Sequence, residues 1–385
     1  MTTTAKKTVK NILLRIKLAG YGIVNYDGGD QKWVFGQTEL NHMKTRHDNV
    51  TYAKKNFYEN SEGETEYKIK ISSDCLKHSI FEKEIPFQSP NISHEEAILY
   101  SFIGSPAYIL RGGFHEFGKG SGVAFKRKAP FQINDAEQIL DSEGLKAIST
   151  LETFAKSGRK RTDNTIDDKS DNTFFKKETV GNIEYFTEGF IDLAQLQFVS
   201  TDIIFDRLAF SADKFKLFSR FLSTRMENFN SELGYYGMKN SDVLIPEYGF
   251  KFSNDNVVFL VQHLFKSILD LKIGRKSASA VTEEFEYKLV YDTIEDTKYN
   301  ENGWVSVKNA SDIENINFEV EDFYIQYEAG KAKELRELIE ENSKKQDAQS
   351  SAKKQEIKDA VETKKKNKNN NKEKVVSEEL ETAGN

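Results

Sequence analysis

Cations gather in short runs in this sequence, at Lys54-Lys55, Lys126-Arg127-Lys128, Arg159-Lys160-Arg161, Lys176-Lys177 and Arg275-Lys276. The chemistry such runs offer is neutralisation of phosphate. Each contact displaces a condensed counterion, so binding is salt-sensitive and nearly blind to base sequence. Lys126, Arg127 and Lys128 follow Gly118, Gly120 and Gly122 and precede Pro130. The glycines let backbone approach an anion, and the proline stiffens the exit. The same stretch also reads as a flexible loop ending in a solvated charge run. Phe174-Phe175-Lys176-Lys177 couples rings to cations, the pairing a single strand needs for stacking plus neutralisation. Its plainer reading is a strand whose phenylalanines enter the core.

Catalytic signatures are missing. The sequence holds no GxxxxGK[ST], HExxH, GxSxG or GxGxxG. His42 and His47 stand five apart in a polar stretch and read as solvated, while His78, His115 and His263 read as packing residues. Cys75 is the single cysteine, which excludes an intramolecular disulfide and a Cys-based zinc site. No cofactor, no metal and no catalytic residue is expected, and the chain is predicted not to be an enzyme. One thiol fits a reducing cytoplasm. Met1 to Lys10 lacks the apolar core of a signal peptide, and the apolar stretches are of helix or strand size, too short to span a membrane.

The 385 residues have a net charge of −6, which by itself argues against nucleic acid. Its distribution says more. Residues 281–328 carry 3 Lys/Arg against 13 Asp/Glu, a net of −10, whereas residues 1–280 and 331–385 each come to +2. A groove for phosphate needs only local positive potential.

Elements follow from periodicity. Ile12, Leu14, Ile16 and Leu18 alternate as a half-buried strand. Residues 27–66 are polar and read as an excursion from the core. Ser93 to Glu96 is a capping box opening a helix that Gly104 closes, and Ala107 to Leu110 reads as a strand. Residues 115–180 form a second excursion with a short helix over 134–150. Strands are expected at 183–185 and 191–193, helices at 213–229 and 254–271, the latter closed by Gly274, and a strand at 285–291. The order strand, helix, strand, twice over, predicts an α+β, ferredoxin-like (RRM-like) domain over 1–330. Residues 331–341 are predicted as a short charged helix. The region 331–385 as a whole, without aromatics beyond Asn342, is predicted to be a charged, largely disordered tail.

Several stretches together resemble the backbone subunit of type I-F CRISPR complexes, of the RAMP superfamily, and its shortened variant form in particular. They are Arg15 through Tyr26, Asp74 through Phe81, Leu110-Arg111-Gly112, Phe125 through Pro130, Asp171 through Phe175, and Ile183 through Arg207. The likeness spans roughly residues 8–328 in one order. It implies a palm with finger and thumb insertions, and copies stacked head to tail along a CRISPR guide RNA (crRNA) inside a Cascade-like antiviral ribonucleoprotein. It implies other interference subunits as partners and target DNA read through guide pairing. It carries Arg111, Lys126, Arg127, Lys128, Phe174, Lys176, Lys177 and Arg207 as RNA contacts. Arg275 and Lys276 join them on charge and position alone. Two rivals stand beside it: a type III-like backbone subunit that cuts target RNA with a metal, and a general single-strand binder.

Overall fold

The computed structural model describes residues 7–26, 34–35, 38–39, 49–51, 53–59, 61–82, 105–116, 124–139, 149–154, 174–202, 231–239, 245–275, 278–291, 297–299, 301–338, 341 and 344. The chain divides into two compact units, one of Met1–Leu233 with Tyr248–Phe323, the other of Gly234–Glu247 with Tyr324–Asn385.

The larger unit is built on an antiparallel sheet whose centre is β1 (Asn11–Tyr21). Its other strands are β2 (Lys55–Glu59), β3 (Thr65–Ile71), β6 (Phe131–Ile133), β7 (Ala136–Gln138), β10 (Asn182–Asp192), β13 (Lys272–Arg275), β14 (Ala278–Val290) and β15 (Val305–Ser306). The order is β13-β14-β1-β10-β7-β3-β2, with β6 also on β10 and β15 also on β14. Register fixes the faces. Ile12, Leu14, Ile16 and Leu18 oppose Ile191, Gly189, Thr187 and Tyr185, and all are buried, because alternate residues of a strand share a face. Helices α1 (Ser73–Ile80), α2 (Pro106–Arg111), α3 (Leu193–Gln197) and α4 (Asn254–Leu269) pack together on that side. Phe265 of α4 meets Phe285 edge-on at 4.9 Å and Tyr287 at 5.2 Å. Ser253 caps α4 by accepting from Asn256 N–H. Asn254 anchors the following segment, accepting from Val320 N–H at 2.7 Å and donating to Phe318 O.

In the smaller unit, the Tyr235 to Met238 part of β12 (Ser231–Met238) pairs antiparallel with Tyr324 to Tyr327. Residues 329–338 are helical, where a charged helix over 331–341 is predicted, and the Arg336 guanidinium lies 5.8 Å from the Tyr235 ring.

Several expectations change. The 107–110 stretch is helix, because Pro106 stands at its first turn and the Ser105 hydroxyl accepts from Tyr108 N–H, a start signal stronger than the β-prone side chains. The helix over 134–150 is absent from its described part, where Ala136–Gln138 and Ser149–Phe154 are strands. The 27–66 and 115–180 stretches are not wholly excursions, since β2, β6 and β7 belong to the main sheet. The strands at 183–185 and 191–193 are one, running Asn182–Asp192 and ending where α3 begins. Gly274 lies in β13, and α4 ends at Leu269 with Asp270 as its C-cap. The helices predicted at 93–104 and 213–229 lie outside the described residues.

The start of α1 is capped from another element. Ser72 makes no side-chain cap, and Asp135 accepts from Ser73 N–H at 2.8 Å and from Lys70 Nζ at 2.8 Å. Burial opposes the Asp135 charge, but these bonds outweigh it and hold its carboxyl below the ordinary 3.8. A depressed folded value contributes stability that is present above the unfolded pKa and lost as pH falls through the folded one. Asp135→Asn is therefore expected to cost about 1 kcal/mol at neutral pH. Urea titrations over a pH series should show that difference shrinking toward zero below the ordinary carboxylate range.

Candidate nucleic-acid interface

Two described cations, Lys77 and Arg111, lie near one another where α2 leads into a hairpin. Strands β4 (Gly113–Glu116) and β5 (Ala124–Arg127) pair with Gly113 opposite Arg127 and Phe114 opposite Lys126. Between helix and hairpin stands Gly112, with φ 70°. A Cβ there would lie 2.5 Å from Arg127 O and 2.7 Å from Ala129 N. Both the left-handed backbone and the closeness demand glycine. That close pass brings the end of α2, where Arg111 stands, against the backbone of residues 127–129, with Lys128 just past β5. Lys128 is exposed and Arg111 half-exposed. Lys77 of α1 joins them. Burial lowers the pKa of its ammonium, Asp74 pulls the other way, and the Arg111 charge lowers it further. Lys77 and Arg111 are neighbouring cations, and Lys128 follows the strand end against which Gly112 packs, a group of three named the cationic ledge.

Arg127 is placed otherwise. It is 8% exposed. Its Nε donates to Ile109 O at 3.0 Å, Nη1 to Phe198 O at 3.2 Å and Nη2 to Gln195 O at 3.1 Å. Two of these carbonyls lie in the short helices α2 and α3, and the third opens β11 (Phe198–Ser200). A fixed fork of donors suits such a convergence, and a cation is favourable at helix C-termini. The structure thus places Arg127, read from the sequence as a phosphate contact, with its guanidinium buried and bonded to backbone. Beneath it, burial pushes the Tyr108 hydroxyl up to about 12, with Arg127 pulling down.

Other predicted contacts lie elsewhere. Phe174, Lys176 and Lys177 are on β9 (Phe174–Thr179), in a separate three-stranded sheet with β8 (Ser149–Phe154) and Asn49–Thr51. There Phe174 pairs with Phe154, Lys176 with Glu152 and Lys177 with Leu151. Arg275 ends β13 opposite Ala278. Arg207 and Lys276 lie outside the described residues. Lys77 escapes a search for charge runs, because its neighbours are Leu76 and His78.

Two further cations stand on the sheet face turned away from the helices, and both are neutralised. Arg15 Nη1 meets Glu301 at 3.2 Å and its Nη2 donates to Tyr299 O at 2.8 Å. Its guanidinium lies 4.3 Å from the Trp304 ring. Lys17 Nζ meets Glu283 at 3.1 Å, Glu184 at 3.4 Å and Glu284 at 3.9 Å. The bond to Glu283 leads in raising its pKa, against burial. Among the described residues, no group of three or more His, Cys, Asp or Glu side chains is placed to hold a metal, and no helix is long and apolar enough to cross a membrane.

Fold and site together define an α+β protein of helices on antiparallel sheet that carries a small basic ledge. The chain belongs to the type I-Fv CRISPR-associated, Cas7fv-like family, whose model matches residues 8–329. No curated protein matches it. It is similar to a solved chain titled CRISPR RNA-guided surveillance complex, with 9% identity, 76% of this chain and 77% of that one covered, and a TM-score of 0.33. It is also similar to one from such a complex before nicking, with 8% identity, 74% and 77% covered, and a TM-score of 0.33.

Arg127→Met should lower unfolding stability by about 3 kcal/mol, since it strands buried carbonyls. Lys128→Ala should stay within about 0.5 kcal/mol, as exposed sites do. Denaturant titration of both variants checks this, and equal effects would refute the division of roles.

Proposed function

We propose that the chain is a non-catalytic backbone subunit that binds a CRISPR guide RNA along its phosphates and presents the bases for pairing with target DNA. Membership of the Cas7fv-like family carries the reading. The sheet supports it, since β14-β1-β10 followed by β7 matches the 4-1-3-2 order of a ferredoxin-like palm, antiparallel throughout. Lys77, Arg111 and Lys128 are the first phosphate contacts. Lys126, Phe174, Lys176, Lys177, Arg207, Arg275 and Lys276 extend the path. Arg127 acts as a positioning residue that holds the ledge. Copies stack head to tail along one guide, beside other interference subunits, because a heterologous contact that does not close builds a helical array.

Two outcomes are expected. Replacing Lys77, Arg111 and Lys128 by Ala should weaken binding alike for unrelated RNA sequences. It should also flatten the log–log salt dependence, by roughly 0.7 per lost contact on a single strand. A filter-binding salt series on wild type and triple variant measures it, and an unchanged slope rejects the ledge. Light scattering should show particle mass rising with RNA length. One protein per RNA at every length would sink the stacking.

A further inference from the structure

The sheet face turned away from the helices is rich in carboxylates. Tyr58 of β2, Glu137 of β7 and Phe186 of β10 lie side by side on it. The Tyr58 hydroxyl donates to Glu137 Oε1, as does Asn56 Nδ2 at 2.6 Å, and Glu137 stands directly opposite Phe186 across the sheet. Phe186 is 38% exposed and Tyr58 40%. Glu137 and Phe186 line an open cleft of about 950 Å³ that Asp135, Glu188 and Lys68 also border, and Lys70 pairs with Asp135 at 2.8 Å. Toward β1 and β14 the face continues through Glu184, Glu283 and Glu284 around Lys17.

A carboxylate beside an exposed ring suits a guanidinium or ammonium, through charge and through the negative face of the ring. The molecule uses that pairing twice on this same face. Lys68 Nζ lies 5.3 Å from the Tyr58 ring and 3.9 Å from Glu137 Oε2, and Arg15 stacks on Trp304 between Glu301 and Glu188. Phosphate would meet repulsion from the same carboxylates. The face that RRM sheets offer to bases is here too acidic to hold a nucleic-acid backbone.

We infer that the cleft at Phe186 and Glu137, beside Tyr58, docks a lysine side chain of a second copy of this chain. The occupant is argued from charge. Residues 281–328, which supply Glu283, Glu284 and Glu286 to this face, net −10, whereas the body holds runs such as Arg159-Lys160-Arg161. An acidic face repels its own image, so the contact pairs unlike surfaces and propagates. This deepens the stacking proposed above by naming one of the two surfaces.

Carbodiimide joins a carboxylate to a lysine amine at contact distance. It is applied to full-length protein mixed from nitrogen-14 and nitrogen-15 preparations, and crosslinked peptides are read by mass spectrometry. Isotope-mixed links from Glu137 or Glu184 to lysine are expected. Phe186→Ala leaves every carboxylate in place and should cut their yield at least fivefold, with the melting curve checking the fold. Glu184→Lys, on the surface, is the second variant and should cut the remaining links from Glu137 likewise. Absent mixed links, or links unchanged in both variants, overturn the proposal. Binding to an RNA short enough for one copy runs in parallel. If the variants lose that binding, the face takes nucleobases and the proposal falls. If wild type binds no RNA yet forms mixed links, the guide-binding reading fails and the docking face stands.

Discussion

Three backbone carbonyls, from the ends of two short helices and the head of a strand, converge on the guanidinium of Arg127. Helices of five and six residues are far below the length that is stable alone, so α2 and α3 exist because something satisfies their terminal acceptors. A buried charge is costly unless fully bonded, and here each nitrogen has a carbonyl. This fixes α2, which fixes Gly112, which fixes the close pass of the 127–129 backbone. The ledge of Arg111, Lys128 and Lys77 inherits its geometry from that pass. The phosphate interface proposed there, held this way, would lose little side-chain or loop freedom on binding.

The two sides of this region divide the charge. On the ledge, cations sit close enough for Arg111 to lower the pKa of Lys77, an unfavourable arrangement that an arriving anion relieves. On the open sheet face, cross-strand register sets Arg15 opposite Glu188 and Glu286, and Lys17 opposite Glu284. Those lysine and arginine charges are already spent. A net charge of −6 is thus compatible with the site proposed for polyanions, because acid is concentrated on the sheet face where it neutralises or repels.

Much of the sheet was legible. The alternation in Ile12 to Leu18 and the stripe on α4 are one-dimensional signals of burial, and both elements stand where they were expected. What was not legible depends on partners distant in sequence. The 107–110 stretch is rich in strand-forming side chains, yet the Ser-Pro start and the carbonyl clamp from residue 127 make it helix. Asp135 looks like loop polarity until it is seen bonding Ser73 and Lys70. Lys77 has no charged neighbour in sequence, so only the fold brings it to Arg111. Strands β2 and β3 read as polar because one face of them is a charged surface.

The run Lys126-Arg127-Lys128 shows why composition alone overreaches. Consecutive residues of a strand point to opposite sides, so a basic run entering a hairpin cannot present every charge to one ligand. Arg127 is turned inward to backbone while Lys128, past the strand end, is exposed. In the proposed reading, replacing all three at once weakens RNA binding whether or not RNA touches them, since loss of Arg127 loosens the base on which Arg111 and Lys128 stand. The count of phosphate contacts and the integrity of the ledge are separate quantities. Only variants that spare Arg127 measure the first.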